Sequence, residues 1–328
     1  MRTGITKVLC AVSAVALLAG GMPFPEAAAQ AFPSKLIRII VPFPPGNTGD
    51  TQSRLMLPTL IKRLGKPLIV ENRPGASGMV GLDLVAKATP DGHTIGTAMS
   101  GNLCLLPHIS KGITYDTLKD FAPIALATTN YQPLYTGLQQ PFKTLPEMVA
   151  YAKANPGKLT MGTNGAGSFP HLSFERLARM AGFTYTHVGY KGPAEVQTAI
   201  LNGELQVAMA GAGPVVPLVR GGKVNLLAVT SKKRVASFPD KPTANEFIPG
   251  YEAPGWFGFV APAGTPPEIV NRLNAEINHA MKLPEVEEKM VASEMVVVTE
   301  SPRYFGELIR SDYEMFGRLI REMGFKPF

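Results

Sequence analysis

The sequence predicts an α/β protein with two domains, in which strands and helices alternate along the chain. The chain has 328 residues, enough for two domains that each bury a core. Its hydrophobic content of 45% and charged content of 17% are typical of a folded globular protein. Its 30 prolines and 33 glycines separate apolar segments instead of forming low-complexity tracts, which is typical of a loop-rich α/β chain.

The first 31 residues are expected to be a signal peptide and not part of the fold. Arg2 and Lys7 supply a positive start, residues 8–19 are apolar, and Ala31 ends a small-residue cleavage pattern. The apolar run is too short to span a bilayer comfortably. We therefore expect secretion, cleavage near Ala31 and a periplasmic location. The mature chain would keep only Cys104, which excludes an internal disulfide.

The charge pattern favours an anionic solute over nucleic acid. Without residues 1–31 the chain keeps 30 basic and 24 acidic residues, a net charge of +6. The one tight basic run, at residues 232–234, has no aromatic residues interleaved with it. The scattered charge therefore indicates solubility and attraction of anions.

The first part of the mature chain alternates strand and helix. We expect strands at residues 36–43, 67–70, 94–99 and 121–128, with helices at residues 50–63 and 79–88. This alternation implies a mainly parallel sheet with helices on both faces.

A second alternating series begins near Pro133. We expect helices at residues 145–154, 168–180, 193–201 and 214–220, and strands at residues 159–162, 185–188, 206–210 and 226–229. This series is long enough to form a sheet of its own.

The chain changes character beyond Pro239. Strands are expected at residues 256–260 and 295–299, with helices at residues 266–281 and 302–323. These elements are too few for a third domain, so we expect them to return to the first sheet. The prediction is a first domain of residues 32–130 and 233–328, and an inserted second domain of residues 131–232, with crossings near Tyr131 and Lys232.

Two loops are candidates for anion binding. An apolar run at residues 39–41 ends in Pro44, Gly46 and Asn47, and a helical pattern follows from Asp50. Residues 160–168 repeat this strand–loop–helix order. Such loops leave unpaired N–H groups at a helix start, where an anion can bind. Two of them facing each other would form a cleft, although either alone is more often a plain turn, with Ser168 only capping its helix.

Other loops follow predicted strands in the same way. Tyr190 could form a wall and Lys191 could attract anions, or both could belong to a solvent-facing turn. Residues 75–78 supply backbone donors, and Ser100 ends another strand. Because ligands bind beyond the carboxyl ends of strands in open α/β sheets, the shared position of these loops favours a common site.

The sequence offers no catalytic or metal-binding set. Its five histidines lack metal-ligand spacing, and it has no G-x-S-x-G nucleophile motif, phosphate-binding loop or complete dinucleotide motif. Aspartates in loops and at helix starts are expected to cap helices. We expect binding instead of catalysis, with no metal and no cofactor.

Five sequence motifs in order resemble one family, the Bug-type (TctC-like) periplasmic receptors of tripartite tricarboxylate transporters. The motifs lie at residues 39–50, 70–78, 115–124, 190–192 and 261–266. The resemblance implies a two-lobed type II periplasmic-binding-protein fold, a Venus flytrap with two mixed sheets flanked by helices. It also implies a monomer that captures a small carboxylate and delivers it to membrane permease subunits.

In this family, loops of both domains hold the carboxylate, partly through ordered waters. The resemblance implies that the ligand-binding residues are Pro44, Gly46, Asp50, Ser77, Gly78, Ala166, Gly167, Ser168, Tyr190 and Lys191. Our predicted site also includes Asn47, Ser100 and Gly211.

The chain departs from the family pattern at two places. Asn47 stands where a second glycine is common, which adds a side chain to the loop. The strand ending at Gly211 lacks a common acidic residue, which argues against an amino-acid ligand. Phe169 and Tyr131 favour a flat or aromatic acid, unless they belong to the core. A sensory receptor with a membrane partner, or an enzyme acting on a small carboxylic acid, are the alternative functions.

Overall fold

The structure is a computed structural model that describes residues 32–327. The predicted signal peptide, residues 1–31, lies outside the described residues. Among residues 32–327, no helix combines the length and the apolar character that a membrane crossing requires.

Eleven strands are described within residues 32–327. They are β1 (Ile37–Val41), β2 (Leu68–Asn72), β3 (Thr94–Met99), β4 (Phe121–Asn130), β5 (Pro133–Gly137), β6 (Thr160–Thr163), β7 (Thr186–Gly189), β8 (Val207–Met209), β9 (Val224–Val229), β10 (Trp256–Pro262) and β11 (Met295–Val297).

Ten α-helices accompany these strands in the same part of the chain. They are α1 (Thr48–Leu64), α2 (Met79–Ala86), α3 (Leu106–Ile109), α4 (Leu145–Ala154), α5 (Phe169–Ala181), α6 (Pro193–Asn202), α7 (Ala212–Arg220), α8 (Pro267–Met281), α9 (Pro284–Ala292) and α10 (Pro302–Glu322). A π-helical turn, Gly101–Leu105, precedes α3.

The helix ends follow local sequence rules. Thr144 accepts the N–H of Glu147, whose carboxylate accepts the N–H of Thr144, so α4 begins with a capping box. Helix α1 ends at Gly65, whose φ of 68° is easily adopted only without a side chain.

The first sheet has the order β11-β4-β10-β3-β1-β2. Strand β1 runs parallel to β2 and β3, but β10 is antiparallel to both β3 and β4, and β11 is antiparallel to β4. The expectation of a mainly parallel sheet was therefore wrong, and the mixed sheet is confirmed. Strand β10 returns to the first sheet through residues 230–255, which contain no α-helix, and it runs in the opposite direction to its neighbours β3 and β4.

The second sheet has the order β7-β6-β8-β5-β9 and is also mixed. Strand β5 is antiparallel to β8 and β9, whereas β6 is parallel to β7 and β8. Only Tyr131 and Gln132 separate β4 from β5, so the chain passes from one sheet to the other almost without a loop.

Both faces of the first sheet are covered by helices. Along β1, Ile37 and Ile39 pack with residues of α1 and α8, such as Met56, while Ile40 packs with residues of α2 and α10 on the opposite face. This arrangement follows from the two-residue period of a strand, and β1 is accordingly apolar except at Arg38, which pairs with Glu71 of β2.

The second sheet has its own core. Phe174 of α5 and Met148 of α4 pack in one cluster, and Ile200 of α6 packs with Val215 of α7 in another. Ala253 still belongs to the α4–α5 cluster, so the chain contacts this core until shortly before β10 begins. The domain ranges given above stay predictions.

Candidate ligand-binding cleft

The loops after β1, β2 and β3 pack against one another because these strands are parallel neighbours. A Cβ at Gly78 would lie 2.7 Å from Nδ2 of Asn102 and 3.1 Å from the ring of Phe43. Gly78 also has a φ of 97°. A glycine at this position therefore allows the three loops to meet.

Asp50 holds the loop after β1. Its carboxylate accepts hydrogen bonds from the Gly46 N–H at 2.9 Å, from Arg54 Nε at 2.9 Å and from Asn72 Nδ2 at 3.0 Å. Burial alone would raise the pKa of Asp50, but these hydrogen bonds lower it below its usual value. The Gly46 N–H, predicted as a ligand contact, thus bonds to the protein's own carboxylate.

Asn47 is the N-cap of α1. Its Oδ1 accepts the Asp50 N–H at 3.0 Å, and its Nδ2 donates to the Pro44 carbonyl at 3.0 Å. Both ends of the amide are therefore used within the loop. The N–H groups of Thr48 and Gly49 find no acceptor among residues 32–327, so they are the donors that α1 offers to an anion.

The loop after β2 has an unusual backbone. Ala76 and Ser77 have φ values of 45° and 56°, and they lie between Gly75 and Gly78, which also have positive φ. Two consecutive non-glycine residues in this region are strained. Ser77 is exposed, so this strained turn is accessible to a solute.

In the second sheet, the loop of residues 165–168 precedes α5. Ser168 occupies the N-cap position, as predicted, but its side chain makes no capping bond. Its hydroxyl instead donates to Thr163 Oγ1 at 3.3 Å, and the Gly167 N–H donates to His171 Nδ1 at 2.9 Å. Pro170 has no N–H, and among the described residues the N–H groups of Phe169 and His171 have no acceptor at this helix start.

Two stacked histidines support this loop, and the sequence analysis missed them. The rings of His171 and His187 are 3.8 Å apart at an angle of 19°. Burial and the neighbouring His187 lower the pKa of His171 to about 4, and burial lowers the pKa of His187. Both rings are therefore neutral near pH 7, as close stacking requires.

The hydrogen bonds fix the tautomer of the His171 ring. Thr163 Oγ1 lies 3.0 Å from the Gly165 carbonyl and 2.8 Å from His187 Nε2, and its single proton can go to only one of them. His171 Nδ1 accepts from Gly167, so its proton is on Nε2. Ala166 lies within the loop that these bonds hold.

Tyr190 and Lys191 follow β7. Gly189 lies beside the 165–168 loop, since a Cβ there would be 3.7 Å from the Gly165 Cα. Tyr190 lines a shallow groove along α6, however, and the exposed Lys191 donates its N–H to Glu195. Within the described residues, these two side chains lie near the site without lining the cavity described next.

A cavity of about 190 Å³ lies between the two sheets. Ser100, Gly101 and Trp256 line it from the side of the first sheet, and Gly211 and Phe169 from the side of the second. Gln132 lines it from the segment that connects β4 to β5. Helices α5 and α7 both begin at its wall.

Of the thirteen predicted site residues, Ser100 and Gly211 line this cavity. The others lie in the turns after β1, β2, β6 and β7, with Asp50 in the first turn of α1. Phe169 faces the cavity, whereas Tyr131 is buried in an apolar cluster and donates to Glu294. Gln132 and Trp256 were not predicted, because neither belongs to a glycine-rich loop.

A second cavity, of about 280 Å³, lies behind Trp256 and Phe169, which line both cavities. The Trp256 Nε1–H donates to Asp312 at 2.7 Å, and burial raises the pKa of Asp312 to about 6. Within residues 32–327, no group of three or more His, Cys, Asp or Glu side chains could hold a metal ion.

Comparison with known proteins agrees with this architecture. BugT of Bordetella pertussis is 31% identical to the chain over 320 residues, which are 97% of this chain and 98% of BugT. The solved structure of Rpa4515 of R. palustris with adipate is 28% identical, covers 90% of this chain and 100% of its own, and has a TM-score of 0.71.

MatC of Rhodopseudomonas palustris, solved with bound malate, is 30% identical, covers 88% of this chain and 100% of its own, and has a TM-score of 0.67. The predicted two-lobed fold with two mixed sheets is confirmed. The family model "Tripartite tricarboxylate transporter family receptor" (TctC) matches residues 53–325. The chain therefore belongs to the TctC family of periplasmic solute-binding receptors, as its sequence motifs predicted.

Proposed function

We propose that this protein captures a small carboxylate between its two lobes and delivers it to the permease subunits of a tripartite tricarboxylate transporter. The main support for this proposal is the cavity between the sheets, where Ser100 of one lobe lies opposite Gly211 and Phe169 of the other. A solute bound there contacts both lobes and so favours the state in which they are close together.

The chemistry of the cavity wall supports an anion. Helices α5 and α7 begin at the cavity, and the Phe169 N–H has no acceptor among residues 32–327. Helix starts carry partial positive charge, and each stabilises an anion by about 0.3–1 kcal/mol when exposed, and by more when partly buried. The net positive charge expected for the mature chain attracts anions over longer distances.

Two structural neighbours bind carboxylates, malate in MatC and adipate in Rpa4515. This supports the proposed ligand class for the present chain. We further propose that residues 1–31 direct secretion and are removed, which intact-mass measurement of the periplasmic protein would test.

The ligand proposal is tested on the purified mature protein. We expect denaturation to release a small carboxylic acid that mass spectrometry identifies, and titration calorimetry with mono- and dicarboxylates to show micromolar or tighter binding. Failure of every carboxylate to bind to refolded, ligand-free protein would contradict the proposal.

The transport proposal needs a separate experiment. We expect cells that lack the receptor to lose uptake of the labelled ligand, and pull-down from membranes to recover permease subunits in the presence of ligand. Recovery of a signalling protein with normal uptake would instead identify a sensory receptor.

A further inference from the structure

We propose that the second cavity, the space of about 280 Å³ behind Trp256 and Phe169, is a separate ligand-binding site that takes a small organic ammonium ion with an apolar body. This space is called the rear cavity below. Its ligand carries the opposite charge to the solute proposed for the cavity between the sheets. The inference therefore goes beyond the proposed function and does not depend on it.

The rear cavity lies between α5 and α10 and opens to solvent. Leu172, Trp256 and Phe316 are buried and form part of its apolar lining, whereas Glu300 and Tyr304 are exposed and mark its entrance. Its volume is close to the lower end of the range for small-ligand pockets, about 300 Å³. A small molecule can therefore enter from solvent and bury an apolar group there.

The charged side chains that line the rear cavity are mostly acidic. The described lining includes three carboxylates, of Glu252, Glu300 and Asp312, and one guanidinium, of Arg176. This local excess of negative charge is opposite in sign to the net charge of +6 expected for the mature chain. Nearby charges in a partly enclosed space outweigh distant charges that solvent screens, so the lining attracts a cation.

Arg176 is held by backbone groups and does not neutralise these carboxylates by direct pairing. It donates to the carbonyl of Glu252 and, at 3.3 Å, to the carbonyl of Gly250, and its guanidinium lies 5.7 Å from the centre of the Tyr251 ring. Glu252 and Glu300 accept hydrogen bonds only through their backbone carbonyls among residues 32–327. Their carboxylates are therefore left for solvent or for a ligand.

Asp312 is the carboxylate best placed to bind the ammonium group. Its Oδ2 accepts the Trp256 Nε1–H at 2.7 Å, and no donor reaches its Oδ1 among the described residues. The side chain is half-buried in the cavity wall, and Oδ1 is not sealed from solvent. Burial raises the pKa of Asp312 to about 6, although the Trp256 hydrogen bond and Arg176 lower it. A cation bound beside Asp312 would compensate its charge.

The aromatic lining distinguishes an organic ammonium ion from other ligands. Phe169 and Phe316 meet edge to face at 5.7 Å, and Trp256 and Tyr304 line the same space. Aromatic faces attract ammonium groups as well as apolar groups. A neutral molecule would lose the charge pair, and an anion would meet three carboxylates. Within residues 32–327, no group of three or more His, Cys, Asp or Glu side chains could hold a metal ion instead.

The test compares two probes of the same shape on the purified mature protein at pH 8 and low ionic strength. Phenethylamine carries an ammonium group where 2-phenylethanol carries a neutral hydroxyl. We expect titration calorimetry to show saturable binding of phenethylamine, about tenfold or more tightly than the alcohol. Equal or tighter binding of the alcohol, or no saturable binding of phenethylamine, would overturn the proposal.

Two variants assign the binding to the rear cavity. Asp312→Asn removes the charge but keeps an oxygen for the Trp256 Nε1–H, and it should weaken phenethylamine binding about tenfold. Leu308→Trp should abolish binding, because Leu308 lines the rear cavity and not the cavity between the sheets. Glu307→Gln is the matched control, since it removes a charge of the same helix that pairs with Arg303 at the surface. Unchanged affinity in either folded cavity variant would overturn the proposal.

The wild type gives an independent readout where a variant does not fold. Trp256 is the only tryptophan of the chain, so its indole N–H gives one signal in a ¹⁵N NMR spectrum. Because this N–H donates to Asp312, an ammonium ion bound at Asp312 should shift the signal, with the same saturation as the calorimetric titration. Phenethylamine binding that leaves this signal unchanged would place the ligand elsewhere and contradict the inference.

Discussion

At the scale of single residues, Asp50 and His171 hold the loop after β1 and the loop after β6 in the same way. Each lies in the first turn of a helix and accepts the N–H of a glycine four residues earlier, Gly46 or Gly167. Both glycines have positive φ, of 87° and 75°. One acceptor is an ionised carboxylate and the other a neutral imidazole, so the two loops respond differently to pH.

Asp50→Asn should destabilise the protein by about 1–3 kcal/mol, because the change removes a buried charge that accepts three hydrogen bonds. Urea unfolding at pH 7 would measure the loss. Glu307→Gln is the control, since Glu307 forms an exposed ion pair with Arg303 and should change stability by less than about 0.5 kcal/mol. Equal midpoints for the two variants would show that Asp50 does not hold its loop.

His171 should make the protein less stable in acid. Its pKa is about 4 in the folded state, below the ordinary 6.5, so between these values the unfolded state binds more protons. Stability is therefore fully present above about pH 6.5 and falls as the pH drops toward 4. Protonation of Nδ1 would also break the Gly167 hydrogen bond.

His171→Asn isolates this effect, because Oδ1 of asparagine can accept the Gly167 N–H without titrating. We expect the wild type to lose about 2 kcal/mol more than the variant between pH 7 and pH 4.5. Asp312, with a pKa raised to about 6, acts in the opposite direction but is common to both proteins. Urea unfolding at each pH would measure the stability of both proteins. An equal loss of stability in the wild type and the variant between pH 7 and pH 4.5 would contradict the role of His171.

At the scale of elements, local sequence signals predicted the position of most helices and strands. They did not predict which strands pair or in which direction. Helix α4 was predicted at its observed bounds, because apolar residues recur on one face and Asn155-Pro156-Gly157 stops the helix; the structure adds a capping box at its start. Helix α9 was missed because only Lys282 and Leu283 separate it from α8. The antiparallel direction of β10 depends on the path of the whole chain and leaves no local pattern.

In the candidate site, too, local features could be predicted from the sequence, whereas contacts between distant residues could not. The loops around Asp50 and Ser168 could be predicted, because glycine, proline and capping residues mark a strand-to-helix turn. The stacking of His171 on His187 and the hydrogen bond from Gln132 to Ser173 could not. Those features require residues 16 and 41 positions apart to meet, as His171 meets His187 and Gln132 meets Ser173.

The packing of three loops at Gly78 gives an element-scale prediction. Gly78→Ala should cost about 1–3 kcal/mol, because the added Cβ meets Asn102 and Phe43 and the φ is 97°. Gly213→Ala in α7 is the matched control, since nothing lies within 4 Å of its Cβ position and its φ is not positive. Thermal unfolding should show a lower midpoint for the first variant alone.

At the scale of the whole molecule, α5 joins the two lobes behind the cavity. Leu172 of α5 packs in a core cluster of the first sheet, Phe169 contacts Phe316 of α10 at 5.7 Å, and Arg179 pairs with Glu322 at 3.0 Å. Since Phe169 also lines the cavity between the sheets, we expect a ligand-induced shift of this side chain to reach its contact with α10.

The fluorescence of Trp256 should report a ligand-induced change in this part of the protein. This residue is the only tryptophan of the chain, it is 1% exposed, and it forms part of the walls of both cavities. We expect a saturating carboxylate ligand to change its fluorescence, because ligand binding rearranges the wall that Trp256 shares with Phe169. The change should saturate at the affinity that calorimetry gives.

The experiment must separate ligand binding from protonation of Asp312, which accepts the Trp256 Nε1–H. Asp312 has a pKa of about 6, so acidification through this value should alter the emission without any ligand. Titrations at pH 8 avoid this contribution, and Asp312→Asn should abolish the pH-dependent change while keeping the ligand-dependent one. Calorimetric binding with unchanged emission and acrylamide quenching at pH 8 would show that the wall stays fixed, and that the lobes do not communicate through α5.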